Sequence, residues 1–298
     1  MKTALITGIH GQDGHYLAKN LLENDYKVFG VNRRTSQPRE EIAGVDYHYV
    51  DVTDASSMVQ LCEMAEPEEI LSFIENHLLQ SLPLSGKNVL ITAGPTYEAI
   101  DPVRFIGNHS SGKMGFALAE EAAGLGASVT LISGPSHQKL ERANIQRINV
   151  VSAEQMYEST HRYFKDMDIA IFSAAVSDFT PKVVSSQKIK KKNDHMVVEL
   201  VPTKDILASV GAIKKEQYLV GFALETENEL ENAKDKIKRK NLDLIVLNSL
   251  KDKGAGFGLD TNRITLIDKK GKVQEFGLKN KKEVATDIFI EILKGVHA

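Results

Sequence analysis

The chain has one cysteine, Cys62, in 298 residues, and no tryptophan. A lone cysteine excludes an internal disulfide and a cysteine-based metal cage, and a cytoplasmic setting is expected. No apolar run approaches the roughly 20 residues that span a bilayer, so no membrane partner is expected. The first ten residues read as a strand and its turn, not as a secretory leader. A net charge of −3 gives no overall pull toward nucleic acid, so none is expected and basic clusters are judged locally. What is present, 42% hydrophobic and 26% charged residues, is the composition of a globular protein longer than one typical domain.

The most informative stretch runs from Ile91 to Gly115, ITAGPTYEAIDPVRFIGNHSSGKMG. It leaves a short apolar strand at Asn88–Ile91 and enters an apolar-periodic helix from Met114. Gly94, Gly107, Gly112 and Gly115 suit close approach of backbone to a ligand, and Ser110 and Ser111 stand at a helix mouth whose free N–H groups favour phosphate. Arg104 and Lys113 add positive charge. The plainer reading is a capped surface loop; the concentration of phosphate-compatible groups favours an anion site.

Upstream, a strand at Thr3–Thr7 is followed by Gly8, Gly11 and Gly14 in a turn, then by a helical run from Tyr16 to Glu23. Strand, glycine turn and helix are the setting in which a pyrophosphate sits on a helix N-terminus. Arg33 and Arg34 close a second strand, Lys27–Val31, where they would neutralise a 2′-phosphate, and Asp51 closes a third as a candidate adenine contact. Residues 67–79 read as a helix, and Pro83 and Gly86 break the chain before the next domain.

From Gly86 onward strands and helices alternate. Strands are expected at 88–92, 128–132, 147–151, 169–173, 218–223 and 243–247, with helices near 114–124, 153–165, 204–214 and 227–240. Such alternation gives a mostly parallel sheet with ligands at strand C-terminal ends. Strands near 195–201, 262–267 and 273–277 read as antiparallel or edge additions, and a helix from Lys282 to Leu293 closes the fold. The fold class is therefore α/β: a Rossmann-like doubly wound, mostly parallel sheet with antiparallel additions, preceded by a partial Rossmann βαβ unit of the NADP type.

Four clusters fall where this fold places chemistry. They are the loop above; Ser173–Phe179, where Asp178 meets a hydroxyl or a metal ion; the lysine run Lys188, Lys190, Lys191, Lys192; and Gly221–Glu227, with Lys240, Asp243 and Asn248 around the next strand. Most charge runs are solvated faces. Here alternation puts Lys188 and Lys190 on one face of an extended strand, which suits a triphosphate or an acyl phosphate.

Residues 1–63 resemble the opening βαβ unit of GDP-mannose 4,6-dehydratase, an extended short-chain dehydrogenase. That family's Tyr-x-x-x-Lys pair is missing; Tyr16 and Lys19 stand one residue too close. The unit either holds NADP or is structural. Residues 64–298 resemble phosphopantothenate-cysteine ligase, the synthetase half of bacterial phosphopantothenoylcysteine decarboxylase/synthetase. The motifs are the 91–115 stretch, AAVSD at 174–178, KxKK at 188–191, GFALETEN at 221–228, KNLDLIVLN at 240–248 and GFGLDTN at 256–262. The domains expected are 1–63, a helix and linker at 64–86, and a ligase domain at 87–298.

The second resemblance implies a ligase of coenzyme A synthesis that joins 4′-phosphopantothenate and L-cysteine with CTP and Mg²⁺ through an acyl-cytidylate. Carried over by motif, Lys188 stabilises the first transition state and Asn108 holds the intermediate. Arg104, Ser110, Ala175, Asp178, Phe179, Lys190 and Lys204 contact substrate or nucleotide, and Asp178 and Asp260 contact metal. A homodimer is implied, because the lysine-bearing segment of the family reaches toward a partner subunit. The family's flavin-dependent half has no counterpart here, so decarboxylation is not expected. The alternatives are an NADP-dependent nucleotide-sugar dehydratase and a non-catalytic nucleotide-binding module.

Overall fold

A computed structural model describes residues 2–32, 41–49, 82–191, 195–225, 228–249 and 259–296. Cys62, Arg33, Arg34, Asp51, Lys192 and the helix expected at 67–79 lie outside them. The chain divides into two units, Met1–Ser81 and Leu82–Ala298.

The first unit holds strand β1 (Lys2–Thr7), helix α1 (Gln12–Glu23), and strands β2 (Tyr26–Asn32) and β3 (Val45–Tyr49), all parallel in the order β1-β2-β3. Ile6, Ile9, Ala18, Val28 and Ile42 form its core. Helix α1 begins at Gln12, four residues before the expected start, because Gly11 acts as its N-cap and Asp13 sits in the favourable first turn. Gly8 turns the chain with φ +72° and donates to Val31 O at 2.9 Å. Gly14 lies inside the helix, where a Cβ would stand 2.7 Å from Gly8 O.

The second unit opens with β4 (Asn88–Ala93), a hairpin of β5 (Tyr97–Ala99) and β6 (Phe105–Gly107), and α2 (Lys113–Gly124). Strands β7 (Ser128–Ser133) and β8 (Ile145–Asn149), helix α3 (Ala153–Phe164) and strand β9 (Ile169–Phe172) follow. Next come β10 (Phe179–Pro181), β11 (Leu200–Pro202), α4 (Ile206–Ile213), β12 (Tyr218–Glu225), α5 (Glu229–Arg239) and β13 (Leu244–Ser249). The chain ends with β14 (Thr261–Asn262), β15 (Ile264–Asp268), β16 (Val273–Glu275), β17 (Lys279–Asn280) and α6 (Lys281–Val296).

Eight of these strands form one sheet in the order β16-β15-β13-β12-β9-β4-β7-β8. All pairings from β8 to β13 are parallel, and β15 and β16 add antiparallel at the edge. Side chains alternate between the two faces of a strand, so a sheet covered on both sides needs apolar residues at every position. Val89, Ile91, Val129, Leu131 and Val220 meet α2 and α6 through Phe116, Ile288 and Ile292. Leu90, Ile132, Ala170, Leu219 and Ile245 meet α3, α4 and α5 through Met156, Phe164, Val210 and Ile237.

Two expectations shift. Strand β8 ends at Asn149, because Val151 N–H is drawn to Gln155 Oε1 in the capping box of α3. Of the strand expected at 195–201, only Leu200–Pro202 enters a ladder, and it pairs antiparallel with β10 outside the main sheet.

At the N-terminal ends of the strands, the buried Asp243 carboxylate accepts from Leu219 N–H, Lys214 and Lys269. Burial opposes its charge, but Lys214, the Leu219 N–H and Lys269 outweigh burial and hold the carboxyl below its ordinary range. A depressed carboxylate contributes stability above the unfolded value of about 3.9, and that contribution is lost as pH falls through the lower folded value. Lys214 is itself 9% exposed. Asp243→Ala strands this ammonium, and unfolding free energy in urea is expected to fall by about 3–5 kcal/mol. A variant as stable as the parent at neutral pH refutes this role.

Candidate functional site

The chain runs from β4 outward to β7 and β8, then returns to the other flank of β4 with β9. Neighbouring connections therefore diverge above the C-terminal ends of β4 and β9, the crevice in which doubly wound folds bind ligands. The two loops there are stitched together. Ser173 Oγ donates to Thr92 O at 2.7 Å, Ala175 N–H to Gly94 O at 2.9 Å, and Ser177 N–H to Thr96 Oγ1 at 2.9 Å. Thr203 adds Oγ1 to Ser177 O at 2.7 Å and N–H to Asp178 O at 2.9 Å.

Beside this seam lies a cleft of about 590 Å³. Its walls include Asn108, Ala175, Asp178, Lys204, Phe222 and Asn248, with Lys236 and Lys240 from α5. Asn108 Nδ2 donates to Ala175 O and Val176 O at 3.2 and 3.1 Å, which fixes the amide and leaves its Oδ1 as the acceptor. Lys240 pairs with Asp205 at 2.7 Å, and Lys236 Nζ reaches Phe222 O at 3.2 Å. Lys204 is bonded to Glu154, which raises its pKa, and lies 4.7 Å from the Tyr157 ring centre. Three ammonium groups on one cleft suit a polyphosphate.

Of the residues singled out in the sequence, Asn108, Ala175, Asp178 and Lys204 line this cleft; Lys188, Lys190, Arg104, Ser110, Phe179 and Asp260 do not. The lysine segment is not a strand. Lys188 and Lys190 are nevertheless both exposed, with Ile189 turned in between them. Arg104 is no free anion receptor either. Its guanidinium pairs with Asp101 at 2.9 Å and donates to Ile189 O at 3.3 Å, while Ile189 N–H donates to Asp101 Oδ2 at 3.1 Å. Asp101 is 2% exposed. Burial opposes its charge, but the N–H groups of Val103, Ile189 and Arg104 and the Arg104 charge keep its pKa low. An ion pair with a buried carboxylate thus grips both backbone groups of the residue between the two lysines.

The loop glycines serve the protein's own packing more than a ligand. A Cβ on Gly115 would stand 2.4 Å from Ala93 Cβ, so this glycine lets α2 lie against β4. Gly94 faces Gly134 and Gly107 faces Tyr97 in the same manner. Gly112 caps α2 with φ +80°, and its N–H donates to Ser110 Oγ at 3.3 Å. Asp260 pairs with Lys113 at 2.6 Å, which holds its carboxyl low. Among the described residues no group of three or more His, Cys, Asp or Glu side chains gathers for a metal ion. In the first unit Gly8, Gly11 and Gly14 do converge on the β1–α1 turn.

Sequence reasoning missed Lys236, Thr203 and Asp101. Lys236 had a signal, since it stands four residues before Lys240 and so shares its helix face. Asp101 had a weaker one, three residues before Arg104.

Residues 84–296 match the family model described as the DNA/pantothenate metabolism flavoprotein C-terminal domain. The chain belongs to this family. Residues 4–83 match a different model, the NAD dependent epimerase/dehydratase family. A cysteine/cysteine sulfinic acid decarboxylase from an unknown prokaryotic organism is 54% identical over 248 residues, 82% of this chain and 69% of that protein. The coenzyme A biosynthesis bifunctional protein CoaBC of Bacillus subtilis is 49% identical over 231 residues, 77% of this chain. The chain spans 57% of that relative's length. The crystal structure of the C-terminal domain of a CoaBC protein superposes with a TM-score of 0.63 at 41% identity, covering 73% of this chain and 99% of that one. The fold class read from the sequence is thereby shown. Among the described residues no helix is long and apolar enough to cross a membrane.

The grip on Ile189 makes a prediction. Asp101→Ala and Arg104→Gln should each free the lysine segment, and trypsin should then cut after Lys188 and Lys190 about tenfold faster. Digestion identical to the parent in both variants would show that the pair does not hold the segment.

Proposed function

We propose that the chain is a ligase of coenzyme A synthesis that joins 4′-phosphopantothenate to L-cysteine with cleavage of CTP. The observation that carries this reading is the basic cleft at the β4/β9 divergence, within a segment whose relatives include CoaBC proteins. The neighbouring relative named a decarboxylase does not redirect it, because residues 4–83 here match an epimerase/dehydratase model instead.

In the first half-reaction a carboxylate oxygen of phosphopantothenate attacks the α-phosphorus of CTP, and pyrophosphate leaves with the electron pair of the broken P–O bond. In the second, the cysteine amine attacks the acyl carbon, CMP leaves, and the amine loses a proton. Lys204, Lys236 and Lys240 hold the phosphates by exchanging their present carboxylate and carbonyl partners for phosphate oxygens. Lys188 offsets charge at the pentacoordinate phosphorus. Asn108, its NH₂ tied to backbone, uses Oδ1 to accept from the incoming amine.

Mg²⁺, held by one or two protein carboxylates, would supply charge neutralisation at the phosphates. Asp178, exposed on the cleft wall, would be one of them. Because Lys188 and Lys190 stand outside the cleft of their own chain, we infer a homodimer in which each lysine segment serves the partner's cleft. We place the reaction in the cytoplasm. We divide the chain into residues 1–63, a linker at 64–86 and the ligase domain at 87–298. A dehydratase activity for residues 1–63 is not favoured, since the chain has no Tyr-x-x-x-Lys pair to carry it.

Pyrophosphate release from CTP, Mg²⁺ and phosphopantothenate, with and without cysteine, tests the reading. Release stimulated by cysteine is expected, and Lys188→Gln should lower it by about 10²–10³-fold with an unchanged circular dichroism spectrum. Absence of release with both CTP and ATP removes the ligase reading.

A further inference from the structure

Asn248 stands at the C-terminal end of β13 in the wall of the cleft, near Phe222 and Leu224. Its amide orientation follows from a donor that cannot be turned around. Arg263 N–H donates to Asn262 Oδ1 at 3.0 Å, so the NH₂ of Asn262 faces the other way. That NH₂ donates to Asn248 Oδ1, also at 3.0 Å. Asn262 is 4% exposed and outside the cleft wall, so this relay is held in the protein interior. Asn248 thus commits its oxygen to Asn262 and turns its two N–H donors to the cleft.

We propose that Asn248 reads the nucleotide base and selects cytosine, with Asn262 as the residue that sets its polarity. The proposal rests on the ligase reading for its nucleotide and adds the group that chooses among nucleotides. A cytosine ring offers adjacent acceptors, the C2 carbonyl and the N3 lone pair, to which an amide NH₂ donates. Adenine has no carbonyl, and its N1 acceptor is flanked by a C–H and an amino donor. Uracil carries a proton on N3. A fixed NH₂ therefore favours cytosine, and a fixed amide oxygen would not. A site built to hydrogen-bond one group discriminates strongly, because the wrong partner leaves a desolvated donor unpaired.

Asn262→Asp is the sharpest test, since it changes no atom of the cleft wall. One oxygen of the introduced carboxylate would still accept from Arg263 N–H, and the other would require Asn248 to turn its NH₂ inward and its oxygen to the cleft. Asn248→Asp presents an oxygen directly. Both variants should lower the CTP-to-ATP ratio of kcat/KM by at least about tenfold, through a rise in KM for CTP with kcat retained, because a base contact is uniform binding. A merely structural role would lower kcat for both nucleotides and leave the ratio alone. Asn248→Ala, which deletes the donors without adding a charge, covers the case in which a buried carboxylate prevents folding, and it should reduce the ratio as well.

Calorimetry with CMP and AMP on the parent protein gives a second readout that needs no turnover, and CMP should bind at least about tenfold more tightly. A folded variant with the parental ratio, or CMP binding no tighter than AMP, overturns the proposal. A parent that releases no pyrophosphate yet prefers CMP would remove the ligase reading and keep the base reader.

Discussion

The cleft exists because two loops that belong to opposite halves of the sheet are locked to each other. Strand β4 is central, and the chain leaves it toward one edge before returning to the opposite side through β9. Without a seam the two connections would simply splay. Thr92 and Thr96 prevent this, since their backbone and hydroxyl groups meet Ser173, Ala174 and Ser177 directly. Both threonines are buried, so each such bond satisfies a polar group that would otherwise be stranded. The seam then extends outward. Glu98, one strand further on, accepts from Ala153 N–H and so fixes the start of α3 relative to the β5–β6 hairpin. Asn108 crosses from the hairpin side to the carbonyls of Ala175 and Val176. Cleft geometry is thus inherited from backbone hydrogen bonding more than from loop length.

The parallel sheet was legible in the sequence because burial on both faces forces continuous apolar runs, as in Ile169–Phe172 and Leu244–Leu247. The helices were legible from period and caps, and α3 carries a complete capping box at Ser152 and Gln155. The excursion between β9 and α4 was not. Ser185 N–H reaches Ile100 O and Ile189 is held by Asp101 and Arg104, and no local periodicity records either meeting. The same blindness hides the partner of Arg104. A cation beside a phosphate-compatible loop looks like a ligand contact, and only the fold reveals a buried carboxylate three residues earlier that already claims it. The loop glycines were noticed for a sound reason, close backbone approach, but the approaching backbone is the protein's own. Asn108 and Lys204 were named from the resemblance and Asp178 from its place after a buried strand, and the fold brings all three to one cleft wall.

Lysine–carboxylate pairs occur at both ends of the strands, and burial gives them opposite meanings. At the N-terminal ends Asp243 lies between Lys214 and Lys269 with almost no access to water. Separating such a group from its partners exposes an uncompensated charge to a poor solvent, so the cluster behaves as part of the framework. At the C-terminal ends Lys204 pairs with Glu154 and Lys240 with Asp205, and in each pair the carboxylate is about half exposed. Pairs open to water are worth only about 0–1 kcal/mol. A polyanion can therefore take Lys204, itself 55% exposed, from Glu154 at small cost, while Lys240, 12% exposed, is held more firmly by Asp205. Until then the two pairs and the Lys236 bond to Phe222 O hold the three lysines, which lowers the entropy lost when a ligand orders them. The sheet thus separates a charge cluster that must not exchange partners from one that can. Its strand direction decides which end is which, because the connections of β4 and β9 diverge at the C-terminal ends.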